Sequence, residues 1–122
     1  MPKIHICVLE DSLDIQEIVK MIFEEEGYRV DSFSSVADFD SGIMLLTPDL
    51  FLLDIMLPDG NGLEVCERVK SAPETKSIPV LMMTASTLIE TMRGISTADE
   101  FIQKPFDIDN LSAIVARLTK PV

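Results

Sequence analysis

Five side chains in this sequence of 122 residues have the types from which a phosphoryl-transfer site can be assembled: Glu10, Asp11, Asp54, Thr84 and Lys104. Each stands at the end of a run of apolar residues, and together they close four such runs. A polar residue ending a buried strand is commonplace, so any one alone carries little weight. The combination carries more. Three carboxylates brought within a few ångströms of one another in a partly desolvated site repel, and they either take up protons or share a cation. Oxygen-only ligands with room left for water and a phosphate oxygen suit Mg²⁺, with Mn²⁺ as a substitute, better than zinc, which favours the His and Cys these positions lack. With the charge so cancelled, one carboxylate can attack a phosphorus centre, and Asp54 is the candidate nucleophile. Lys104 then offers a cation to one phosphoryl oxygen and Thr84 a hydroxyl to another.

Such a meeting requires four strands that end at one rim, and the apolar pattern supplies them. Ile4, Ile6, Cys7, Val8 and Leu9 form a nearly continuous apolar run, as in a central parallel strand covered on both faces, and lead into Glu10-Asp11. Ile15, Ile18, Val19, Ile22 and Phe23 follow at helical spacing, with Gly27 placed as a C-cap. Residues 28–33 alternate apolar and polar, which predicts an edge strand. Ser35 is positioned to cap a helix through Val36, Phe39, Ile43 and Leu46 that stops before Pro48. Leu50 to Leu53 is a second buried strand ending at Asp54. Pro58 to Gly62 is rich in turn formers, and Leu63, Cys66 and Val69 behind it define one helical face.

Val80 to Met83 is a third buried strand, closed by Thr84. Thr87 and Glu90 have capping-box spacing for a fourth helix that Gly94, Ser96 and Thr97 keep short. Glu100 to Gln103 is a brief strand before Lys104-Pro105, and Asp107 can cap a last helix buried through Ile108, Leu111, Val115 and Leu118. Five strands alternating with five helices predict a doubly wound α/β sandwich with a parallel sheet, one domain over residues 1–122 without an output domain. Ligands of such a sheet sit at the carboxyl ends of its strands, where the winding reverses.

Composition narrows the partners. Ten basic against twenty-one acidic residues leave a net charge of −11, which opposes direct binding to nucleic acid or anionic lipid. No apolar run reaches the length of a membrane span, and Met1-Pro2-Lys3 runs into a strand without a secretory leader, so a cytoplasmic location is expected. Cys7 and Cys66 lie in apolar segments without ligand spacing and read as free buried thiols. His5 lies inside the first strand, directed away from the site, and reads as structural.

The order and spacing of Glu10-Asp11, Leu52-Leu53-Asp54-Ile55-Met56-Leu57-Pro58, Gly62, Thr84-Ala85 and Lys104-Pro105-Phe106 resemble the receiver domain of two-component response regulators over essentially the whole chain. That resemblance implies a flavodoxin-like three-layer sandwich with strand order 2-1-3-4-5. It implies that Asp54 is the phosphoacceptor, that Asp11 and Asp54 bind Mg²⁺ directly with Glu10 assisting through water, and that the backbone carbonyl of Met56 completes the metal shell. Thr84 and Lys104 would bind the phosphoryl group, and Phe101 would swing inward as Thr84 moves. The implied partners are a sensor histidine kinase or phosphotransfer protein and a downstream effector or output domain, with a phosphorylation-dependent homodimer left open. The chain would catalyse its own phosphorylation and slow dephosphorylation, without turnover of an external substrate.

Two positions and the length of one stretch depart from the family's usual pattern. Phe101 lacks the hydroxyl of the more usual tyrosine, so its switching would rest on packing alone. Thr97 stands where a glycine often precedes the last strand, and the stretch from Thr84 to Lys104 is short. Met56 and Ser86 would border the path of an attacking water. Other classes fit less well: a haloacid-dehalogenase phosphatase needs a second Asp where Met56 stands, and a flavin mononucleotide binder needs a phosphate loop where Glu10-Asp11 would repel the ligand. A receiver reduced to a phosphorylation-independent docking module is the alternative that keeps the fold; the complete set of five site residues argues against it.

Overall fold

The computed structural model describes residues 3–43 and 46–120. Its main sheet has five strands: β1 (His5–Leu9), β2 (Arg29–Phe33), β3 (Leu50–Asp54), β4 (Val80–Thr84) and β5 (Glu100–Gln103). All neighbouring pairs are parallel and the order is 2-1-3-4-5, as expected. Among the described residues four helices connect them, α1 (Leu13–Glu25), α2 (Val36–Ile43), α3 (Gly62–Ser71) and α4 (Ile89–Ile95), and a fifth, α5 (Ile108–Leu118), follows β5. A two-residue antiparallel hairpin, Met56–Leu57 with Gly60–Asn61, stands apart from the sheet between β3 and α3.

Every residue of β1, β3 and β4 is buried, which explains their unbroken apolar runs. Successive side chains point to opposite faces, so β1 serves two cores. Ile6 and Val8 pack with Val19 and Phe23 of α1 and Leu111 and Val115 of α5. Cys7 and Leu9 pack with Phe39 of α2 and Val65, Cys66 and Val69 of α3. Desolvation in that layer, aided by the charge of Asp31, pushes the Cys7 thiol up to about 12. Burial raises Cys66 as well, and both thiols are free. His5 is structural, as read: its Nε2 lies 2.6 Å from Asp31 Oδ2, joining β1 to the edge strand β2.

Among the described residues, helix ends follow the sequence signals except at the start of α4. Ser12 caps α1, and Gly27 at φ +88° closes it while its N–H donates to Glu24 O (3.0 Å) and that of Tyr28 to Phe23 O (2.9 Å). Asp107 caps α5 as predicted, its Oδ1 accepting from Asp109 N at 2.8 Å. Ser35 Oγ accepts from Asp38 N at the start of α2, but a second cap comes from afar: the Asp59 carboxylate accepts from Val36 N (2.8 Å) and Ala37 N (3.0 Å). Those two donors hold the Asp59 carboxyl below the usual carboxylate range. Among described residues α2 ends at Ile43; the expected continuation toward Leu46 crosses positions outside them.

The capping box expected from Thr87 and Glu90 does not form. Ser86 Oγ accepts from Leu88 N (3.0 Å), the local turn this makes shifts the start of the helix to Ile89, and Leu88 occupies the N-cap with no side-chain bond. With only seven residues and none buried, α4 leans on the core through partly covered Ile89 and Met92.

Candidate functional site

At the carboxyl edge of the sheet the winding direction reverses between β1 and β3, and the five expected residues gather there. Glu10 continues β1 and is almost fully buried, 1% exposed. Its backbone N–H donates to Phe33 O of β2 (3.0 Å), and its Oε2 accepts from Ser12 N (3.1 Å). Asp11 follows, exposed. Asp54 ends β3, buried, with Oδ1 accepting from Ile55 N at 2.9 Å. Lys104 reaches in from the end of β5: its backbone N–H donates to Thr84 O (2.7 Å), extending the β4–β5 ladder by one rung, and its peptide with Pro105 is cis.

Lys104 Nζ donates to Glu10 Oε1 at 2.5 Å and to Asp54 Oδ2 at 3.1 Å. Burial alone would lower the ammonium's pKa, but these two hydrogen bonds and the charges behind them outweigh it and hold Lys104 above its ordinary value. Glu10 is raised as well, which for a carboxylate disfavours the charged form: burial raises it, the bonds from Lys104 and Ser12 only partly offset this, and the charge of Asp54 adds to the rise. Among the described residues, three carboxylates thus share this edge with the single ammonium of Lys104. Three oxygens, one each from Glu10, Asp11 and Asp54, lie within 4.8 Å of one another. Three carboxylate oxygens this close, with no His or Cys beside them, are a donor set that fits a small hard cation.

Thr84 is buried at the end of β4, and its Oγ1 accepts from Ser86 N (3.0 Å), which leaves the hydroxyl proton to donate elsewhere. Met56, beside the pocket in the hairpin, is 80% exposed. Phe101 lies one strand over, opposite Met82 in register, and its ring is 4% exposed within the core layer of α3.

Three contacts at the rim are not legible in the sequence as contacts, although Gly62 stands among the residues that carry the family resemblance. Gly62, the first residue of α3, lies against the backbone of the Asp54 peptide, where a Cβ would come within 1.9 Å of the Asp54 carbonyl oxygen. Gln16 of α1 donates through Nε2 to Glu10 O (2.5 Å) and Ser34 Oγ (3.0 Å). Asp59 ties the hairpin to α2, as described. A second concavity, of about 520 Å³ between α2 and α3, sits at the opposite end of the sheet; of its charged lining residues Asp40, Arg68 and Glu74, the first two pair with each other at 2.9 Å. No helix among the described residues is long and apolar enough to cross a membrane.

Comparison with known proteins agrees with this geometry. Residues 6–116 match the response regulator receiver domain family. The chain is 34% identical over 122 residues to the phosphate regulon transcriptional regulatory protein PhoB of Rhizobium meliloti, covering 98% of this chain and 53% of that protein. For PhoB of Escherichia coli the identity is 36% over 123 residues, covering 97% and 52%. The chain thus spans about half the length of these curated relatives. Among solved structures, the receiver domain of a signal transduction histidine kinase from Syntrophus aciditrophicus superposes with a TM-score of 0.86 at 30% identity, covering 94% of this chain and 89% of that one. The response regulator TrrA of Thermotoga maritima, solved in complex with Mg²⁺-BeF, gives a TM-score of 0.84 at 29% identity, covering 96% and 99%. With its strand order, its acid-and-lysine rim and a family match over nearly its whole length, the chain belongs to the receiver domains of response regulators.

Proposed function

We propose that this receiver domain is a cytoplasmic phosphorylation switch whose acceptor is Asp54, supplied by a histidine kinase or a phosphotransfer protein and read by an effector or an output domain. The observation that carries this reading is the ammonium of Lys104 bonded to both Glu10 and Asp54, with a third carboxylate oxygen within 4.8 Å. Glu10, Asp11, Asp54 and the backbone carbonyl of Met56 are the groups to hold Mg²⁺ or, in its place, Mn²⁺. When bound, the cation supplies cancellation of charge between the acceptor carboxylate and the incoming phosphoryl oxygens. The complex of TrrA with Mg²⁺-BeF supports carrying this chemistry over to the present chain.

A carboxylate oxygen of Asp54 forms the new O–P bond while the donor's P–N bond, in phosphohistidine, or P–O bond, in an acyl phosphate, breaks, and imidazole or carboxylate leaves. Lys104 neutralises one phosphoryl oxygen and the Thr84 hydroxyl donates to another. Rearrangement of Thr84, felt at Phe101, carries the change outward as a shift between two packings. The acyl phosphate later decays by attack of water, so the domain resets itself.

The direct test is incubation with acetyl phosphate and Mg²⁺, followed by intact mass. A phosphorylated species that EDTA prevents supports the reading, and no modification under saturating conditions refutes it. Two further outcomes are expected. Lys104→Ala retains a detectable, slower acceptor reaction but loses the amide-shift response to beryllofluoride that the wild type gives; a full response in the variant would remove Lys104 from the switch. Met56→Asn offers water an amide where an exposed thioether now stands, and shortens the acyl-phosphate lifetime about tenfold, equivalent to ~1.4 kcal/mol of barrier. An unchanged decay rate would leave Met56 without a part in it.

A further inference from the structure

We infer that Gln16 is a positioning residue of the acidic rim, fixing the direction of the Asp11 carboxylate by gripping the peptide group that joins Glu10 to Asp11; this rests on the metal-assisted reading given under Proposed function. Asp11 is exposed, and among the described residues its carboxylate makes no hydrogen bond. Its direction is therefore set by the backbone that carries it. The two peptide groups flanking Glu10 are both pinned: the one before it through its N–H to Phe33 O at 3.0 Å, the one after it through its carbonyl, which accepts from Gln16 Nε2 at 2.5 Å.

A backbone carbonyl only accepts, so the side-chain nitrogen of Gln16 and not its oxygen faces Glu10. The same NH₂ group donates to Ser34 Oγ at 3.0 Å, just past the end of β2. Gln16 is itself placed by the first turn of α1, where its backbone N–H donates to Ser12 O at 3.0 Å. One amide thus links the acidic loop after β1, the loop after β2 and the start of α1. Without that donor the plane between Glu10 and Asp11 is free to rotate, and the Asp11 carboxylate must be ordered afresh each time a cation arrives. Loss of such supporting bonds around metal ligands costs roughly 10- to 100-fold in affinity. A Gln16 that merely fastened α1 to β2 would instead affect melting of the metal-free protein and leave the cation's affinity alone.

Mg²⁺ titration of the whole chain, followed by backbone amide shifts, separates these roles. Gln16→Met, equal in length but without a donor, is expected to bind Mg²⁺ about tenfold more weakly. Its labelling by acetyl phosphate slows at low Mg²⁺ and recovers at saturating Mg²⁺. Gln16→Asn, a methylene too short to reach the carbonyl, serves as a second variant should the first fold poorly. Ser34→Ala, which spares the bond to Glu10, should lose less. Wild-type binding matched within about twofold by both Gln16 variants overturns the inference while leaving the phosphoacceptor reading intact. Failure of the wild type to bind Mg²⁺ overturns the metal reading itself, and the role of Gln16 with it.

Discussion

Asp54→Asn is expected to abolish the acid-stable, base-labile phosphoryl label that acetyl phosphate and Mg²⁺ place on the wild type, by a factor on the order of 100 or more, since no other group at the rim replaces the nucleophile. The substitution is nearly isosteric. Its remaining oxygen can keep the bond from Ile55 N that Oδ1 accepts at 2.9 Å, and Lys104 keeps Glu10 as a partner. The fold should therefore survive, so loss of label reports chemistry and not unfolding. Removing the charge of Asp54 also relieves one of the influences that raise Glu10, so the metal-free variant carries a less strained cluster of charge. Label at the wild-type level would exclude Asp54 as the acceptor, with Asp11 the next carboxylate to examine.

Gly62→Ala should have the largest effect on stability. The added Cβ would stand 1.9 Å from the Asp54 carbonyl oxygen, 2.8 Å from its carbon and 3.1 Å from Ile55 Cα. All three atoms are backbone, so no flexible side chain can move aside. Either α3 shifts off the sheet or the peptide after β3 twists, breaking the bond from Gly62 N to Ile55 O now at 2.8 Å. Overpacking of this kind costs roughly 3 kcal/mol, or a fall in melting temperature of about 10 °C for a domain of this size. Urea unfolding measures it directly: a midpoint equal to that of the wild type would mean that the loop yields at no cost.

Much of this architecture could be read from residue types because its central strands are buried on both sides. An apolar run such as Leu50 to Leu53 that halts at Asp54 marks both a strand and the place where the strand meets the rim. The same logic located Glu10, Thr84 and Lys104, whereas the strand order came with the family resemblance. Local pattern is a poorer guide where two turns compete. Thr87 and Glu90 have the spacing of a capping box, yet Ser86 makes a nearer bond to Leu88 and moves the helix start. Contacts between segments distant in sequence leave no periodic trace at all. Asp59 looks like one more turn former, and only the folded chain brings it to the N–H groups of Val36 and Ala37. Gly62 likewise belongs to a stretch dense in turn residues, whereas its constraint is the nearness of the Asp54 carbonyl. Gln16 is indistinguishable in spacing from its exposed neighbour Glu17 until the loops after β1 and β2 are in place.

The bond from Lys104 to Glu10 joins positions 94 residues apart, with β3 and β4 lying between their strands in the sheet. A ribosome makes Glu10 94 residues before the lysine that pairs with it. Any nascent chain that stops short of β5 holds its carboxylates with no internal counter-charge, and self-repulsion works against closure of that edge. The rim's counter-charge thus arrives only with the fifth strand, and the electrostatic closure of that edge of the sheet waits for it.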